Sequence, residues 1–413
     1  MSNKLKIFVS AYACEPNLGS EIGVGWHWVI EMSKYFDLWV LTRKSNKNSI
    51  EKWIDDNPEY KNITFIYFDL PHYLRFWKRG MRGVRTYYNI WQILTEKIVK
   101  KTMIENDIEI FHHLTYGNML WRVSKFGQKQ FFIWGPTGGV EMISSDFSKH
   151  YKLKGKLIEL FRRNLIKLLP YNNGFKNRCK NANLILCKTE RSKSQVPSKY
   201  SDKAILFTDV ATEPLEIDFQ KKQIDSEIIK YVVVGKLDPW RGFDLLIEAF
   251  NLALKDNKKI HLKILGDGSD WDRLNQLIQD RNLQNNITML GKVSMNEYYK
   301  TMRESDVVVN PGLKEAAVTT SFDAMSMGKP MICVDTTGYT RYFSKEYALI
   351  LPITTRKELI ENLRDSILKL TEYELRFEMG KKAMAAGKRF TWEARGKEIQ
   401  ETILKAFESY KNV

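Results

Sequence analysis

The chain has 413 residues, of which 43% are hydrophobic and 28% are charged. This length and composition fit two or three globular domains and exclude a disordered, collagenous or fibrous chain. Its apolar runs fall far short of the roughly 20 residues that a helix needs to cross a bilayer, and its first residues read as a β-strand rather than a signal peptide. The four cysteines, Cys14, Cys179, Cys187 and Cys333, form neither a CxxC pair nor a zinc-type cluster. We therefore expect a reduced, cytoplasmic protein with neither a disulfide framework nor a structural metal.

The formal net charge of +16 is concentrated in one half of the chain. Residues 1–205 contain 34 Lys and Arg against 18 Asp and Glu, whereas residues 206–413 contain 31 of each class. An adaptation for solubility alone would spread the charge over both halves. One surface of the first half is therefore expected to meet an anionic partner.

Apolar strand patterns alternate with helix patterns along the whole chain. In the first half the pattern predicts strands at 4–13, 38–43, 63–70, 108–114, 130–135 and 182–187 and helices over 23–35 and 84–104. In the second half it predicts strands at 228–237, 260–268, 287–293, 305–312 and 330–338 and helices over 241–254 and 269–282. Such alternation is typical of two parallel-sheet α/β domains of the Rossmann type, whose ligands bind at the carboxyl ends of the strands.

A polar stretch poor in strand patterns, 208–227, is the expected linker between these two domains. It separates a first domain, 1–207, from a second, 228–388. A helical tail, 389–413, completes the chain.

Two cations follow the first strand of the second half. Lys236 and Arg241 are five residues apart where a strand turns into a helix. Such a turn offers backbone N–H groups and the positive end of a helix dipole to an anion, and the cations make it suited to a diphosphate. Gly235, Gly266 and the turn at Val293 allow backbone from successive strand ends to approach the same ligand. The alternative is that the cations are solvated surface residues and the glycines mark ordinary turns.

Two acids follow later in the same half. Glu315 precedes a predicted helix, and Asp323 lies eight residues on, just over two turns, so that both face one side. Carboxylates accept hydrogen bonds from paired sugar hydroxyls, so one acid could bind a sugar and the other the ribose of a nucleotide. The alternative is one acid at a helix start and one on the surface.

The order of these pieces matters more than any one of them. The series VGKLxxxRGxxxLIEAF, LGDG, LGxV and E-x7-D-A-M-x-x-G-K-P-M-I, over about 228–345, closely resembles the donor domain of retaining glycosyltransferases of family 4. The resemblance implies the GT-B fold, in which two Rossmann-like parallel-sheet domains face each other across a cleft. The first domain is then on the acceptor side, and the second binds the nucleotide-sugar donor. In this fold the helical tail crosses back to the first domain.

The resemblance also assigns roles to residues of the second half. Lys236 and Arg241 would contact the diphosphate and stabilise the leaving group, Glu315 would hold the donor sugar, and Asp323 would bind the ribose. The backbone of four residues would approach sugar and phosphate: Ala316, Ala317, Val318 and Thr319. This chain departs from the family in its Lys-then-Arg order, in the shortened acid Asp323 and in Ala-Ala-Val where Gly-Phe-Gly is usual.

The first half resembles the family more weakly. The loop that contains Gly19 and Glu21 lacks the GxGxxG pattern, but its position matches the family's glycine-rich loop over the donor phosphates and the acceptor. Glu21 could instead cap the following helix. The stretch 133–141 is similar to a GPxGG loop of bacterial polysaccharide glycosyltransferases, which implies that Thr137, Gly138 and Glu141 line the acceptor side.

His113 is a further candidate for contact with the acceptor. It ends a predicted strand together with His112, and strand alternation allows only one of the two to face a ligand. The alternatives are a buried histidine with a satisfied hydrogen bond and, much less favoured, a metal ligand. The family needs neither a bound metal nor a cofactor besides the donor substrate.

Two basic stretches account for the charge of the first half. Residues 72–88 contain five Lys or Arg and five aromatic residues without an acid, and residues 149–180 contain ten Lys or Arg against the single acid Glu159. Within the second stretch five apolar residues recur at helical spacing: Leu157, Leu160, Phe161, Leu165 and Leu168. A basic amphipathic helix is typical of binding to an anionic membrane surface. The alternative is a helix that packs its apolar stripe into the core; nucleic acid is not expected, since no nucleic-acid module is present.

Together these features predict a metal-independent hexosyltransferase of cell-surface polysaccharide synthesis. By the family resemblance, it would transfer a hexose, with retention, from a nucleotide-diphosphate sugar to a hydroxyl of a lipid-linked glycan at the inner face of the cytoplasmic membrane. The alternatives are a sugar-nucleotide epimerase or a phosphorylase with the same fold, and a catalytically weak protein that binds glycans or membranes.

Overall fold

The computed structural model describes residues 4–78, 83–124, 130–213 and 227–412. The chain forms two compact units, neither of which is continuous in sequence. Unit 1 comprises 1–140, 165–209 and 392–413, and unit 2 comprises 141–164 and 210–391.

Each unit is built on one sheet. The strands are β1 (Lys6–Ser10), β2 (Asp37–Arg43), β3 (Thr64–Phe68), β4 (Ile110–His113), β5 (Phe131–Thr137), β6 (Leu184–Cys187), β7 (Ala204–Leu206), β8 (Ile229–Val234), β9 (Ile260–Leu265), β10 (Ile287–Gly291), β11 (Val307–Asn310), β12 (Met331–Val334) and β13 (Ala348–Leu351). The helices are α1 (Ser20–Ser33), α2 (Lys47–Asp56), α3 (Val84–Leu94), α4 (Glu96–Glu105), α5 (Ser145–Ser148), α6 (Leu153–Leu168), α7 (Asn173–Asn181), α8 (Glu190–Gln195), α9 (Phe243–Asp256), α10 (Trp271–Asp280), α11 (Met295–Glu304), α12 (Thr319–Ser326), α13 (Arg356–Lys369), α14 (Tyr373–Gly387) and α15 (Trp392–Lys411).

Both sheets are parallel, and in each the order in which successive strands are added changes direction once. Unit 1 has seven strands in the order β3-β2-β1-β4-β5-β6-β7, and unit 2 has six in the order β10-β9-β8-β11-β12-β13. The central strands β4, β6, β11 and β12 are buried along their whole length, as expected for strands covered on both faces. The order reverses between β1 and β4 and between β8 and β11, where such sheets bind ligands. The predicted pair of Rossmann-like α/β domains is confirmed.

Several elements differ from the sequence prediction in extent. The helix predicted over 84–104 is two helices, α3 and α4, that meet at Thr95. The Thr95 hydroxyl donates a hydrogen bond to the Trp91 carbonyl at 2.8 Å, a side-chain contact of the kind that bends helices. The short strands β7 and β13 were not predicted, because three or four apolar residues give too little pattern to assign.

The unit boundaries differ from the expected domain boundaries at one place. Residues 141–164, expected in the first domain, group with unit 2. Most of the expected linker, 214–226, lies outside the described residues. Residues 392–413 group with unit 1, so the last helix does not belong to the unit that precedes it in the chain.

Aromatic contacts and close packing attach α15 to the rest of unit 1. The Trp392 ring stacks on His27 with centroids 4.7 Å apart, and Phe407 meets Phe131 edge-on at 5.4 Å. Gly396 lies where an added Cβ would come within 3.0 Å of the Glu31 side chain, so its small size allows α15 to approach α1 closely. Over the described residues, none of the helices combines the length and the apolar character needed to cross a membrane.

Ile403 provides a direct test of the assignment of α15 to unit 1. The side chain is fully buried, so Ile403→Ala should lower the free energy of unfolding by about 2–4 kcal/mol through the cavity it leaves. Urea denaturation measures the change, with Lys405→Ala on the exposed face of the same helix as control. Equal stability of the two variants would contradict the packing of α15.

Candidate functional site

The candidate site of unit 2 lies where its strand order reverses. Strands β8 and β11 are parallel neighbours, so their carboxyl ends lie side by side. The loop after β8 contains Lys236 and Arg241, and the loop after β11 contains Glu315. Topology thus brings together residues that are more than 70 positions apart in sequence.

Arg241 and Glu315 form an ion pair at this edge, in which the carboxylate is buried and the guanidinium is half-buried. The Arg241 Nη1 atom donates to Glu315 Oε1, and the Glu315 residue is only 3% exposed. Burial raises the pKa of Glu315, and the charge and hydrogen bond of Arg241 oppose that rise. The Arg241 Nε–H is also buried, and it has no hydrogen-bond partner within the described residues. A half-buried guanidinium with an unused donor is suited to bind an anion.

Backbone geometry allows Glu315 to fold back beneath its own loop. Gly312 lies so close to it that an added Cβ would be 2.5 Å from the Glu315 Cγ. The Thr336 hydroxyl donates to the Glu315 carbonyl at 2.5 Å and fixes the loop from the other side. Any side chain at position 312 would displace the carboxylate.

The N-terminus of α12 follows this loop directly. Val318 occupies the N-cap position, and its aliphatic side chain cannot accept a hydrogen bond from the first helical N–H groups. Ala316, Ala317 and Thr319, which are half-buried, complete the segment. The Ser321 N–H donates to the Val318 carbonyl at 3.1 Å, so the N–H groups suited to an anion beside Glu315 are those that precede it, of Thr319 and Thr320.

The remaining predicted donor residues of unit 2 lie on neighbouring loops. Lys236 is exposed, and its ammonium group is 3.2 Å from Asp238. Gly266 has φ +134°, and an added Cβ would be 1.9 Å from the Gly235 carbonyl, so these two strand ends meet only because glycine is present. Val293 is half-buried in the loop after β10.

Asp323 is held by hydroxyl groups of the protein itself. Its Oδ1 accepts from the Thr212 hydroxyl at 2.8 Å, and its Oδ2 accepts from the Tyr298 hydroxyl at 2.6 Å. The residue is 4% exposed, and burial raises its pKa to about 6 although both hydrogen bonds oppose the rise. Sequence reasoning placed Asp323 on the correct helix but did not identify Thr212 or Tyr298, since no local pattern links them to it.

A second ionic cluster, which sequence reasoning missed, lies beside Glu315 in unit 2. Glu159 on α6 accepts from Lys314 Nζ at 2.8 Å and from Arg162 Nη1 at 3.3 Å. The Glu141 backbone carbonyl accepts a hydrogen bond from Arg162. The positive charge of Lys314 lowers the pKa of Glu315, and the negative charge of Glu141 raises it. One signal was available in the sequence, since Glu159 is the single acid within 149–180.

In unit 1 the predicted Glu21 lies where the strand order reverses, between β1 and β4. Its Oε1 accepts from the Tyr116 backbone N–H at 2.6 Å, which connects the start of α1 to the loop after β4. Burial raises the pKa of Glu21, while the charge of Lys188 lowers it and that of Asp209 raises it. Gly19 is exposed at the N-cap of α1.

The other predicted residues of unit 1 are less accessible. His113 is buried, with its Nε2 atom 3.0 Å from the Tyr88 hydroxyl, and burial lowers its pKa to about 3. His112 is also buried, and its Nε2–H donates to the Gly135 carbonyl at 2.7 Å. The Thr137 side chain is fully buried, and the Gly138 N–H donates to the Gly117 carbonyl. The structure therefore brings Glu21 to the loop after β4 but encloses His113 and Thr137 in the core.

The apolar stripe of α6 does not pack into the core, so the core-helix alternative is wrong. Phe161 is 65% exposed and Leu157 is 57% exposed. Lys154, Lys156 and Lys167 are exposed on the same helix. Five further apolar residues of α6 are exposed: Leu153, Ile158, Leu160, Leu165 and Leu168.

The other basic stretch, 72–88, is described except for 79–82. Tyr73 and Phe76 are each 71% exposed. Arg85 is exposed, with its guanidinium 5.9 Å from the Trp121 ring centroid.

Residues 215–385 match the family model of glycosyl transferases group 1. An uncharacterized glycosyltransferase of Methanocaldococcus jannaschii is 26% identical over 220 residues. The match covers 53% of this chain and 58% of that relative. The family match includes the segments that contain Arg241, Glu315 and the start of α12.

Solved structures extend the likeness to nearly the whole chain. HepE of Anabaena, in complex with UDP and glucose, has a TM-score of 0.58 at 14% identity and covers 97% of this chain and 100% of its own. WaaG, a glycosyltransferase involved in lipopolysaccharide biosynthesis, has a TM-score of 0.59 at 14% identity, and the match covers 96% of this chain and 99% of WaaG. At this identity the likeness concerns the fold, and it confirms the predicted GT-B class.

Asp323 should make stability depend on pH. Its pKa in the folded protein, about 6, lies above the ordinary value of 3.8, so protonation favours the folded state between these values. The free energy of unfolding of the wild type relative to Asp323→Asn should therefore fall by about 2–3 kcal/mol as pH rises from 4 to 7, and level off above that.

Urea denaturation at several pH values measures this difference. Glu297→Gln, at an exposed acid on the helix that carries Tyr298, is the matched control. A constant difference between wild type and Asp323→Asn across the range would show that Asp323 is not held as described.

Proposed function

We propose that the protein is a glycosyltransferase that uses a nucleotide-diphosphate sugar as its donor. The observation that carries the proposal is the pair of half-buried Arg241 and buried Glu315, with its unused Arg241 Nε–H, beside the uncapped start of α12. The match of residues 215–385 to glycosyl transferases group 1 and the UDP bound to HepE support it.

The chemistry follows from where charge develops. As the bond between sugar and diphosphate breaks, negative charge grows on the leaving phosphate oxygen. The Arg241 guanidinium, the Lys236 ammonium and the N–H groups at the start of α12 are donors suited to stabilise that charge. Glu315, held by Arg241, would accept hydrogen bonds from donor-sugar hydroxyls and fix the sugar's orientation. We propose a hexose as the transferred sugar and retention of its configuration, as the family resemblance implies.

Asp323 would bind the ribose while its carboxylate also accepts hydrogen bonds from the protein. Both carboxylate oxygens already accept from Thr212 and Tyr298, and each oxygen has a second lone pair. We propose that the ribose hydroxyls share Asp323 with these two groups, without a metal or an additional cofactor.

The proposed acceptor is a hydroxyl of a lipid-linked glycan at the inner face of the cytoplasmic membrane. The exposed apolar residues and lysines of α6 support this location, because an apolar face enters the headgroup region and lysines attract anionic lipid. The exposed aromatic residues of 72–78, in unit 1, are a second candidate contact with the membrane. In unit 1, Glu21 is the residue placed to meet an acceptor at the reversal of the sheet.

A thermal-shift screen with UDP, GDP, dTDP and CMP, with and without magnesium, tests the donor site. A saturating nucleoside diphosphate should raise the melting temperature by several degrees, since a ligand at 100 times its Kd contributes about 2.7 kcal/mol. Arg241→Ala should weaken binding by about 10- to 100-fold, since it removes charge-assisted hydrogen bonds. Arg281→Ala, which removes an exposed ion pair with Glu248 in the same unit, is the control and should bind like wild type.

Glu315→Gln separates sugar positioning from nucleotide binding. Gln keeps the side chain's size and one acceptor, so nucleoside diphosphate binding should persist while transfer of sugar falls at least about a hundredfold. Sugar transfer is measured by release of the nucleoside diphosphate from the donor. Unchanged transfer would remove Glu315 from the site, and binding of membranes without binding of any nucleotide would favour the alternative of a glycan- or membrane-binding protein.

Vesicle flotation tests the membrane surface. The double variant Leu157→Ser/Phe161→Ser should no longer float with vesicles of anionic phospholipid, because it removes the most inserted apolar area, while its stability should be preserved because both residues are exposed. Ile104→Ser/Ile353→Ser changes two other exposed apolar residues and is the matched control. Equal flotation of both double variants would contradict the assignment of α6.

A further inference from the structure

The inner side of α6 carries the one acid of its basic stretch. Glu159 is 4% exposed, whereas its neighbours Ile158 and Leu160 are exposed. It accepts from Lys314 at 2.8 Å and from Arg162 at 3.3 Å, so one carboxylate is shared by two cations. A helix with an outward apolar face is therefore attached to unit 2 by a buried charge.

The attachment leads directly to the proposed donor residues. Lys314 precedes Glu315 in the chain, and its ammonium nitrogen is 5.0 Å from the centroid of the Trp240 ring. The Arg241 guanidinium is 4.5 Å from a ring centroid of the same Trp240, and it pairs with Glu315. Continuous contacts thus run from Glu159 to Lys314, to Trp240 and to the Arg241–Glu315 pair.

Electrostatics makes this link sensitive to the position of α6. Without the Glu159 charge, Lys314 and Arg162 would be two cations in a poorly solvated place with their shared acid missing. Lys314 could then lower its energy by turning towards Glu315, the next carboxylate, where it would compete with Arg241. A shift of about 1 Å in a positioning group is enough to reduce turnover by up to about a hundredfold.

We propose that Glu159 is a positioning residue for Glu315, acting through Lys314 and Trp240, and that an anionic lipid surface bound by the outer face of α6 stimulates donor turnover through this link. The inference rests on the proposed function, and it adds a regulation of that same site. Charge selects the occupant, since the exposed charges of α6 include Lys154, Lys156 and Lys167, whereas its one acid is buried.

The test compares full-length wild type with Glu159→Gln, Lys314→Met and the double variant. Three readouts are collected: UDP affinity, flotation on vesicles of phosphatidylcholine and phosphatidylglycerol, and kcat and KM for donor turnover with and without those vesicles. Arg163→Gln is the matched control, because Arg163 ties α6 to the Ile143 carbonyl at 3.1 Å without contacting Glu159 or Lys314 in the described network.

For wild type and Arg163→Gln we expect vesicles to raise kcat by about tenfold. Glu159→Gln and Lys314→Met should float and bind UDP within about twofold of wild type, yet lose the stimulation, with the change in kcat rather than in KM. The double variant should lose no more than either single variant, because both act on one link. Glu159→Asp should restore part of the stimulation.

Several outcomes would overturn the proposal, and they are distinguishable. If wild type binds UDP but vesicles do not change its turnover, or if Glu159→Gln keeps the stimulation, the proposed link from α6 to Glu315 is wrong while the proposed function stands. If Glu159→Gln loses UDP binding and flotation together, the residue is merely structural. A wild type that binds UDP but does not float assigns the outer face of α6 to another partner, and one that binds no nucleoside diphosphate contradicts the proposed function itself.

Discussion

The ion pair between Arg241 and Glu315 is the interaction on which the candidate site of unit 2 depends. A buried carboxylate without a partner is costly, so the fold must hold the half-buried guanidinium of Arg241 beside Glu315. The parallel pairing of β8 with β11 supplies that point, because their carboxyl ends are adjacent at the reversal of the sheet. Gly312 gives the carboxylate the space to fold back, and Thr336 fixes the loop that carries it.

Unit 2 contains three buried acids that differ in the groups that contact them. Glu315 faces a guanidinium with a donor left over, which suits exchange with an anionic ligand. Asp323 is held by two uncharged hydroxyl groups, whose hydrogen bonds only partly offset the burial that raises its pKa to about 6. Glu159 pairs with an ammonium and a guanidinium and thereby attaches α6. Acids of similar burial thus differ in the groups that hold them.

Sequence reasoning reached the fold class from the alternation of strands and helices. It named Arg241 and Glu315 separately, as a diphosphate contact and a donor-sugar contact, and did not predict their ion pair. Alternating strands and helices predict parallel sheets, and the loops after β8 and β11 follow from that topology, so Arg241 and Glu315 could be placed at one edge before the structure. The partners of Asp323, Thr212 and Tyr298, and the Glu159–Lys314 contact join distant segments, and one sequence contains no pattern for such pairs. Periodicity likewise found the apolar stripe of α6 but could not tell whether core or solvent covers it. For His113 and Thr137, strand position gave no measure of depth, and both are buried.

Hydrogen–deuterium exchange of the 413-residue protein, with and without a saturating nucleoside diphosphate, reports directly where the ligand binds. If Arg241 and Glu315 form the donor site, exchange slows at 235–242 and at 312–320, the loops that carry the two residues and the start of α12, and stays unchanged in α13. Slower exchange confined to other segments, with these two loops unaffected, would contradict the assignment of the Arg241–Glu315 pair as the donor site.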